Sequence, residues 1–243
     1  MVSKNQIKLI KSLHQKKYRN LNSLFIAEGI KVINELIREG MDLHTLYATS
    51  AGKFTKIDEN KFFEISESEL KKISFLKTPN HAVAIFKIPA AKKINNKSLV
   101  VALDDIRDPG NLGTIIRLCD WFGITDLVCS INTVDCYNPK VVQATMGSLA
   151  RVNITYLELE EFIKESGSDV FIADMEGENV YKTNLPSNGI LIMGNEANGI
   201  SQSIRKAASK KLSIPRFGSL QKTESLNVAT ATAILLSEFK RRS

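Results

Sequence analysis

Five side chains suited to handling phosphates and weak acids stand at ordered positions beyond residue 110. Asn111 and Arg117 are six residues apart, Glu196 lies inside Gly194-Asn-Glu-Ala-Asn-Gly199, and Ser225 precedes Asn227 by two. Arginine is a permanent cation with five donors in a planar fork, so it fits a phosphate or an oxygen gaining negative charge. Gly113 and Thr114, one helical turn before Arg117, are small, and the guanidinium can run back over that turn unobstructed. A cation near a helix N-terminus is unfavourable by up to roughly 1 kcal/mol, which an arriving phosphate or an adjacent carboxylate would cancel. A purely structural pairing with Asp104 or Asp120 is the alternative. Glu196 follows the apolar run Ile190–Met193, between glycines that permit a tight turn and close backbone approach. A solvated loop carboxylate is its plain reading. Ser225 suits the N-cap of a helix beginning at Leu226, and Asn227 in the first turn is either satisfied locally or turned to a ligand.

These residues need elements to bring them together. The apolar runs Ile190–Met193 and Leu212–Ile214 both end in turn-forming residues rather than in more strand. Strands of that kind present backbone to ligands at the carboxyl edge of open α/β sheets. One crevice there would gather Gly194, Glu196, Ile214, Ser225 and Asn227, with the free N–H groups of the last helix pointing into it.

The surroundings read as ordinary globular protein. Of 243 residues, 43% are hydrophobic and 24% charged, enough for a real core. No apolar run approaches the ~20 residues of a membrane-spanning helix, and no secretory apolar region follows the basic N-terminus. A membrane partner is therefore not expected. Cys119, Cys129 and Cys136 have no metal-like pairing and suit a reducing, cytoplasmic setting as packed side chains. His14, His44 and His81 lack ligands at useful spacing, so no metal is expected. Neither GxGxxG nor GxxxxGK[ST] occurs, which removes the marks of dinucleotide and P-loop binding. Trp121 reads as packing, and the small run Ala229–Ala233 as a close internal contact of the last helix, with a dimer seam as the alternative.

Charge is uneven. Residues 1–90 hold 15 Lys plus Arg against 9 Asp plus Glu, whereas the remainder holds 18 against 17. Lys4, Lys8, Lys11, Lys16, Lys17 and Arg19 meet no acid in the first twenty residues. A one-sided block of this sort suggests an anionic polymer, with a solvated lysine-rich helix as the plain alternative.

Periodicity predicts an amphipathic helix over 4–16, a strand at Leu24–Ile26, and a helix whose inner face is Val32, Ile33, Leu36 and Ile37. Strands follow at Leu43–Ala48, Phe62–Ile65 and Val83–Phe86, with a helical turn at Ser66–Ile73. Residues 1–90 thus form a small α/β domain, and 91–98, poor in large apolar side chains, a linker. Residues 99–243 alternate strand and helix: Leu99–Leu103, helix from Leu112 to Phe122 with Asn111 at its N-cap, Leu127–Ile131, helix Asn138–Met146, then Arg151–Tyr156, Val170–Ala173 and Ile190–Met193. Such alternation predicts a mostly parallel sheet covered on both faces.

Three separated segments resemble the SpoU/TrmH family of RNA ribose 2′-O-methyltransferases, members of the knotted SPOUT superfamily. They are LDDIRDPGNLGTIIRLCDWFGI, LIMGNEANGI and SIPRFGSLQKTESLNVATATAI, with QATMGSLARV as a fourth, weaker likeness. Order and spacing agree over roughly residues 99–240. The N-terminal LFIAEGIKVINELI is similar to the small ribosomal-protein-like domain ahead of many members. RFGSLQKTE, between Pro215 and Ser225, is longer than in many relatives.

The resemblance implies a parallel sheet whose C-terminal segment forms a deep trefoil knot holding S-adenosylmethionine. Gly194, Ile214 and Leu226, helped by Met193 and Pro215, would contact this cofactor. Arg117 would act on the 2′-hydroxyl, either as base or by holding the developing alkoxide. Asn111 and Glu196 would orient it, Ser225 and Asn227 would position ribose and backbone, and Lys16, Lys17 and Arg19 would meet RNA phosphates. It further implies a homodimer whose cleft is completed by the partner chain, acting on ribosomal RNA, with transfer RNA as runner-up. A non-catalytic RNA-binding assembly factor on the same fold, or base rather than ribose methylation, would be the other outcomes.

Overall fold

The computed structural model describes every residue except Thr55, Lys56, Glu196, Gln221, Thr223, Glu224, Arg242 and Ser243. It divides into two units, Met1–Ala90 with Asp135–Arg151, and Ala91–Val134 with Val152–Ser243.

In the first unit, helices α1 (Lys4–Ser12) and α2 (Lys16–Asn22) lead to β1 (Leu24–Glu28), α3 (Ile30–Arg38), β2 (Leu43–Ala48), β3 (Phe62–Glu64), α4 (Glu67–Ile73) and β4 (Ala82–Lys87). The expected single helix over 4–16 is two, broken before Lys16. The sheet order is β1-β4-β2-β3, antiparallel except between β2 and β3. Ile10 of α1, Leu13 just past its end, and Leu70 and Ile73 of α4 pack with Ile26, Val83 and Ile85 on one face. Alternation sends Phe25 and Phe86 to the other face, where Phe25 stacks on Phe86 with ring centroids 5.6 Å apart and meets Tyr137 at 4.9 Å. Residues 135–151, which follow a strand of the other unit in sequence, thus supply part of this unit's core.

The second unit begins with β5 (Leu99–Asp104), α5 (Pro109–Trp121) and β6 (Asp126–Ser130). After helix α6 (Pro139–Thr145), which belongs to the first unit, come β7 (Asn153–Leu157), α7 (Leu159–Ser166), β8 (Val170–Asn179), β9 (Gly189–Gly194), α8 (Gln202–Ala207), β10 (Lys210–Ser213) and α9 (Val228–Lys240). The six strands run in the order β10-β8-β9-β5-β6-β7 and every pairing is parallel. Parallel strands need covered faces. Leu159, Phe162 and Ile163 of α7 with Ile204 of α8 bury Val100, Val128, Ile172 and Ile192. On the opposite side, the inner face of α5 (Leu112, Ile115, Ile116, Cys119) is buried, α5 packs on α9, and Phe239 meets Phe171 edge-on at 5.3 Å.

β8 is longer than its apolar run suggests. Its residues pair with β10 at Phe171 and Ile172, then again at Glu178 and Asn179, so Ala173–Gly177 bulge out of the ladder. The chain can close again only because Gly177 lacks a side chain. A Cβ there would lie 2.6 Å from the backbone of Lys211 and Leu212. Trp121, expected to pack, is 84% exposed on the last turn of α5. The small run of α9 is divided, with Ala229 and Thr232 buried and Thr230 exposed.

Candidate active site

The sheet order reverses direction beside β5, since the chain passes outward through β6 and β7 and then returns to the other side. Ligands of open α/β sheets bind at the carboxyl edge near such a reversal. There, the ends of β8, β9 and β10 and the start of α9 enclose a cavity of about 1010 Å³. Met193, Gly194, Ile214, Pro215, Ser225 and Leu226 all line it. A smaller hollow of about 510 Å³, between Asp169, Phe171 and Lys210, opens at the amino ends of β8 and β10 and holds none of the expected residues.

Each wall has a local cause. Gly194 ends β9 and the chain folds straight back, with Asn195 N–H donating to the Gly199 carbonyl at 3.1 Å and Gly199 N–H to Asn195 at 2.8 Å. A Cβ on Gly194 would stand 2.5 Å from the Gly199 carbonyl carbon. The Asn195 side chain completes the turn, accepting from Ala197 and Asn198 N–H and donating to the Asp105 carbonyl at 2.7 Å. Glu196 lies outside the described residues. Past β10, Ile214 and Pro215 contribute apolar wall, and so does the half-exposed Leu226.

Two helix starts differ from expectation. Asn227, not Ser225, is the N-cap of α9. Its Oδ1 accepts from Ala229 N–H at 3.0 Å and Thr230 N–H at 3.2 Å. Asparagine is as strong a cap as serine, and its use here leaves Ser225 exposed on the cavity wall. Likewise Asp108, not Asn111, caps α5. Asp108 Oδ1 accepts from Asn111 N–H at 2.8 Å, and Pro109 occupies the first helical position, where its missing N–H costs nothing. Asn111 is thereby in the first turn with its side chain outward, and its Oδ1 accepts from Asn227 Nδ2 at 2.9 Å. The starts of α5 and α9 are tied by this one amide–amide bond, and Asn227 sits between two cavity residues, Leu226 and Val228.

Arg117 is exposed on α5 and, among the described residues, lies off the cavity wall and forms no hydrogen bond or ion pair. The structural pairing with Asp104 does not occur, since Asp104 Oδ2 accepts from Ser201 N–H at 2.8 Å. Cys119, on the inner face of the same helix, is fully buried. That burial pushes its thiol well above the ordinary range, so it offers no nucleophile.

The cavity's chemistry is mixed. Apolar walls meet two carboxylates, Asp174 and Glu176, and the cations Arg205, Arg216 and Lys222. Such a lining suits a molecule with a flat apolar part and a zwitterionic end. Asp174, Glu176 and Arg205 are outside the sequence expectation. The first two lie in the bulge of β8 and the third on α8, positions with no motif to mark them.

Of the three residues expected to meet RNA, Lys16 and Lys17 are exposed at the start of α2. Arg19 is not available. It is 2% exposed, with Nε and Nη2 donating to Asp135 Oδ2 at 2.9 and 2.5 Å and Nη1 to the carbonyls of Leu13 and His14. A guanidinium fork matches two carbonyls and a carboxylate at once, and no local signal pairs residues 116 apart.

Comparison with known proteins agrees with this geometry. Residues 4–84 match the MRM3-like substrate binding domain. The chain is 28% identical to the Bacillus subtilis 23S rRNA (guanosine(2553)-2′-O)-methyltransferase RlmP, covering 96% of both proteins. Among solved structures, a TrmH-family protein from Porphyromonas gingivalis is 37% identical over the whole of both chains with a TM-score of 0.91. An AdoMet-bound rRNA methyltransferase from Sinorhizobium meliloti is 30% identical, at a TM-score of 0.86, over 100% of this chain and 97% of that one. Residues 98–237 match the model of the SpoU rRNA methylase family, and with more than half its length so matched, the chain belongs to that family.

Proposed function

We propose that this protein transfers a methyl group from S-adenosylmethionine to a ribose 2′-hydroxyl of ribosomal RNA. The observation that carries this reading is the cavity at the carboxyl edge of β8, β9 and β10, flanked by the Asn111–Asn227 bond. The similarity to RlmP and to the AdoMet-bound Sinorhizobium meliloti enzyme supports both substrate and cofactor. Residues 1–90 serve as the substrate-binding domain, 91–98 as the connection and 99–243 as the methyltransferase domain. The segment from β9 through α9 forms the trefoil knot of the superfamily. A buried, reduced state of all three cysteines is consistent with work in the cytoplasm.

The cofactor is a sulfonium that supplies an activated methyl. Bonding of the ribose oxygen to that carbon would break the carbon–sulfur bond to leave a thioether, and the hydroxyl proton would pass to solvent water. The protein's task is alignment and management of that proton. Gly194 and Ile214 offer backbone groups to the adenine edge, while Met193, Pro215 and Leu226 bury its faces. Asn227, rigid because its own carbonyl caps α9 and its amide nitrogen binds Asn111, fixes the ribose with Ser225. Asn111 and Glu196 serve to orient Arg117. A guanidinium stays protonated in proteins, so Arg117 acts by holding the developing alkoxide beside its phosphate rather than by removing the proton. Alignment and cationic stabilisation together account for the acceleration.

Arg117 is exposed and off the wall of its own chain's cavity, which supports a homodimer in which it reaches the partner's cleft. Arg117→Ala is expected to lower turnover at saturating RNA on the order of 10²–10³-fold. Mixing inactive Arg117→Ala and Asn227→Ala chains should then restore part of the activity in the mixed dimers, and no recovery would place Arg117 in its own chain's site.

The defining experiment is incubation of methyl-labelled cofactor with ribosomal RNA, ribosomal particles and transfer RNA, followed by nucleoside analysis. Label in a 2′-O-methyl nucleoside of ribosomal RNA is the expected result. Label on transfer RNA or on a base would reassign the substrate. Failure to bind cofactor would leave an RNA-binding assembly factor.

A further inference from the structure

The turn from Gly194 to Ile200 is braced from three directions. Asn195 ties it to the Asp105 carbonyl, Asp104 holds the N–H of Ser201, and Arg205 holds its far end. Asn195 also lines the cavity, but only the third brace is built from two side chains that both do. Arg205 Nε donates to the Ile200 carbonyl at 3.1 Å, and Nη1 donates to Asp174 Oδ2 in a tight ion pair. Both Arg205 and Asp174 line the cavity.

Asp174 lies in the bulge where β8 leaves its pairing with β10. Its side chain is only 6% exposed, and its second oxygen accepts from Glu176 N–H at 3.1 Å. Lys211 stands 3.9 Å away and is itself half in solvent, so Arg205 is the principal counterion. A desolvated carboxylate on a ligand-binding wall needs such a partner. The partner here also grips the turn that carries Glu196 in sequence.

We propose that Asp174 and Arg205 form a positioning pair that couples occupancy of the cavity to the geometry of the Gly194–Ile200 turn. Ligand seated against the bulge holds the carboxylate in place, the carboxylate holds the guanidinium, and the guanidinium holds the Ile200 carbonyl. This rests on the methyltransferase reading for its consequence but not for its geometry. Neither residue touches the reacting atoms; they act through the turn.

The test uses the full chain with Arg205→Gln, Arg205→Lys and Asp174→Asn. Hydrogen exchange of the amides in 195–201 is followed with and without S-adenosylhomocysteine, whose affinity is measured by calorimetry alongside kcat and KM. Arg205→Gln and Asp174→Asn should speed exchange in the turn while β5 and β9 stay protected. The same variants should weaken S-adenosylhomocysteine binding and lower kcat, each on the order of 10–100-fold, the cost of small misplacements. Arg205→Lys keeps the charge without the fork and should fall between. Unchanged turn exchange and affinity in both variants would overturn the proposal, as would loss of protection throughout the sheet, which would make the pair a general stabiliser. If the wild-type chain fails to bind S-adenosylhomocysteine yet Arg205→Gln frees the turn, the brace stands and the cofactor reading falls.

Discussion

Asn227 carries two duties on one side chain. Its carbonyl oxygen caps α9 and its amide nitrogen reaches Asn111, and the two can be separated. Asn227→Asp keeps a strong cap and adds a charge that the helix N-terminus favours, but it removes the donor to Asn111. Thermal stability should hold while turnover falls on the order of 10–100-fold through misalignment. Asn227→Ala should lose turnover and also about 1 kcal/mol of stability with the cap; equal melting temperatures for the two variants would contradict the assignment. Arg19 teaches the opposite lesson, that a cation in a basic segment can be wholly structural. Asp135→Ala strands it in the interior and should destabilise the first unit by about 3–5 kcal/mol, read from urea unfolding monitored at residues of α1 and α2.

Among the elements, the short ones depend most on their ends. Helix α4 is only 7 residues long, and Ser66 and Glu69 close a reciprocal capping box on it. Glu69 accepts from Ser66 N–H and from Val2 N–H, and these bonds hold its carboxyl at about 2, against an ordinary 4.5. A lowered folded-state pKa contributes stability that is complete above the unfolded value and is lost as pH falls toward the folded one. The window is therefore pH 4.5 down to about 2. Glu69→Gln, which keeps an acceptor but loses the charge, should flatten the acid side of the melting-temperature profile in that window; solvent screening keeps the effect small. An acid slope identical to wild type would remove Glu69 from the account. The bulge of β8 is an element-scale feature of another kind, since it sacrifices ladder pairing to place Asp174 and Glu176 on the cavity wall.

At the scale of the whole molecule, basic charge concentrates in one unit and the candidate chemistry in the other. Formal charge is +7, and residues 1–90 hold most of the excess. Lys16 and Lys17 are exposed, whereas Arg19 is committed to the interior. RNA binding should weaken steeply with salt. Replacing both lysines by alanine should reduce the slope of log affinity against log salt by about 1.5, at roughly 0.7–0.9 for each phosphate no longer neutralised. A filter-binding series at several salt concentrations measures it, and an unchanged slope would move the phosphate-binding cations elsewhere.

Much of this was legible in the amino-acid order alone. Alternating apolar runs and helical faces announced the parallel sheet, and the inner face of α5 fell on the residues found buried. Two motifs distant in sequence, LIMGNEANGI and SIPRFGSLQKTESLNVATATAI, marked chain that lines the cavity, while the first motif lies off its wall. Local signals reached less far at helix starts, where Ser225 and Asn111 stood beside equally good caps and spacing could not choose between neighbours. Tertiary structure alone decided that Asn111 would meet Asn227, that Asp135 would consume Arg19, that residues 135–151 would complete the core of the first unit, and that a bulge would put Asp174 opposite Arg205. The physical reason is one of range. Periodicity and capping are set within a few residues of chain, whereas a side-chain bond between positions far apart depends on where every intervening element packs.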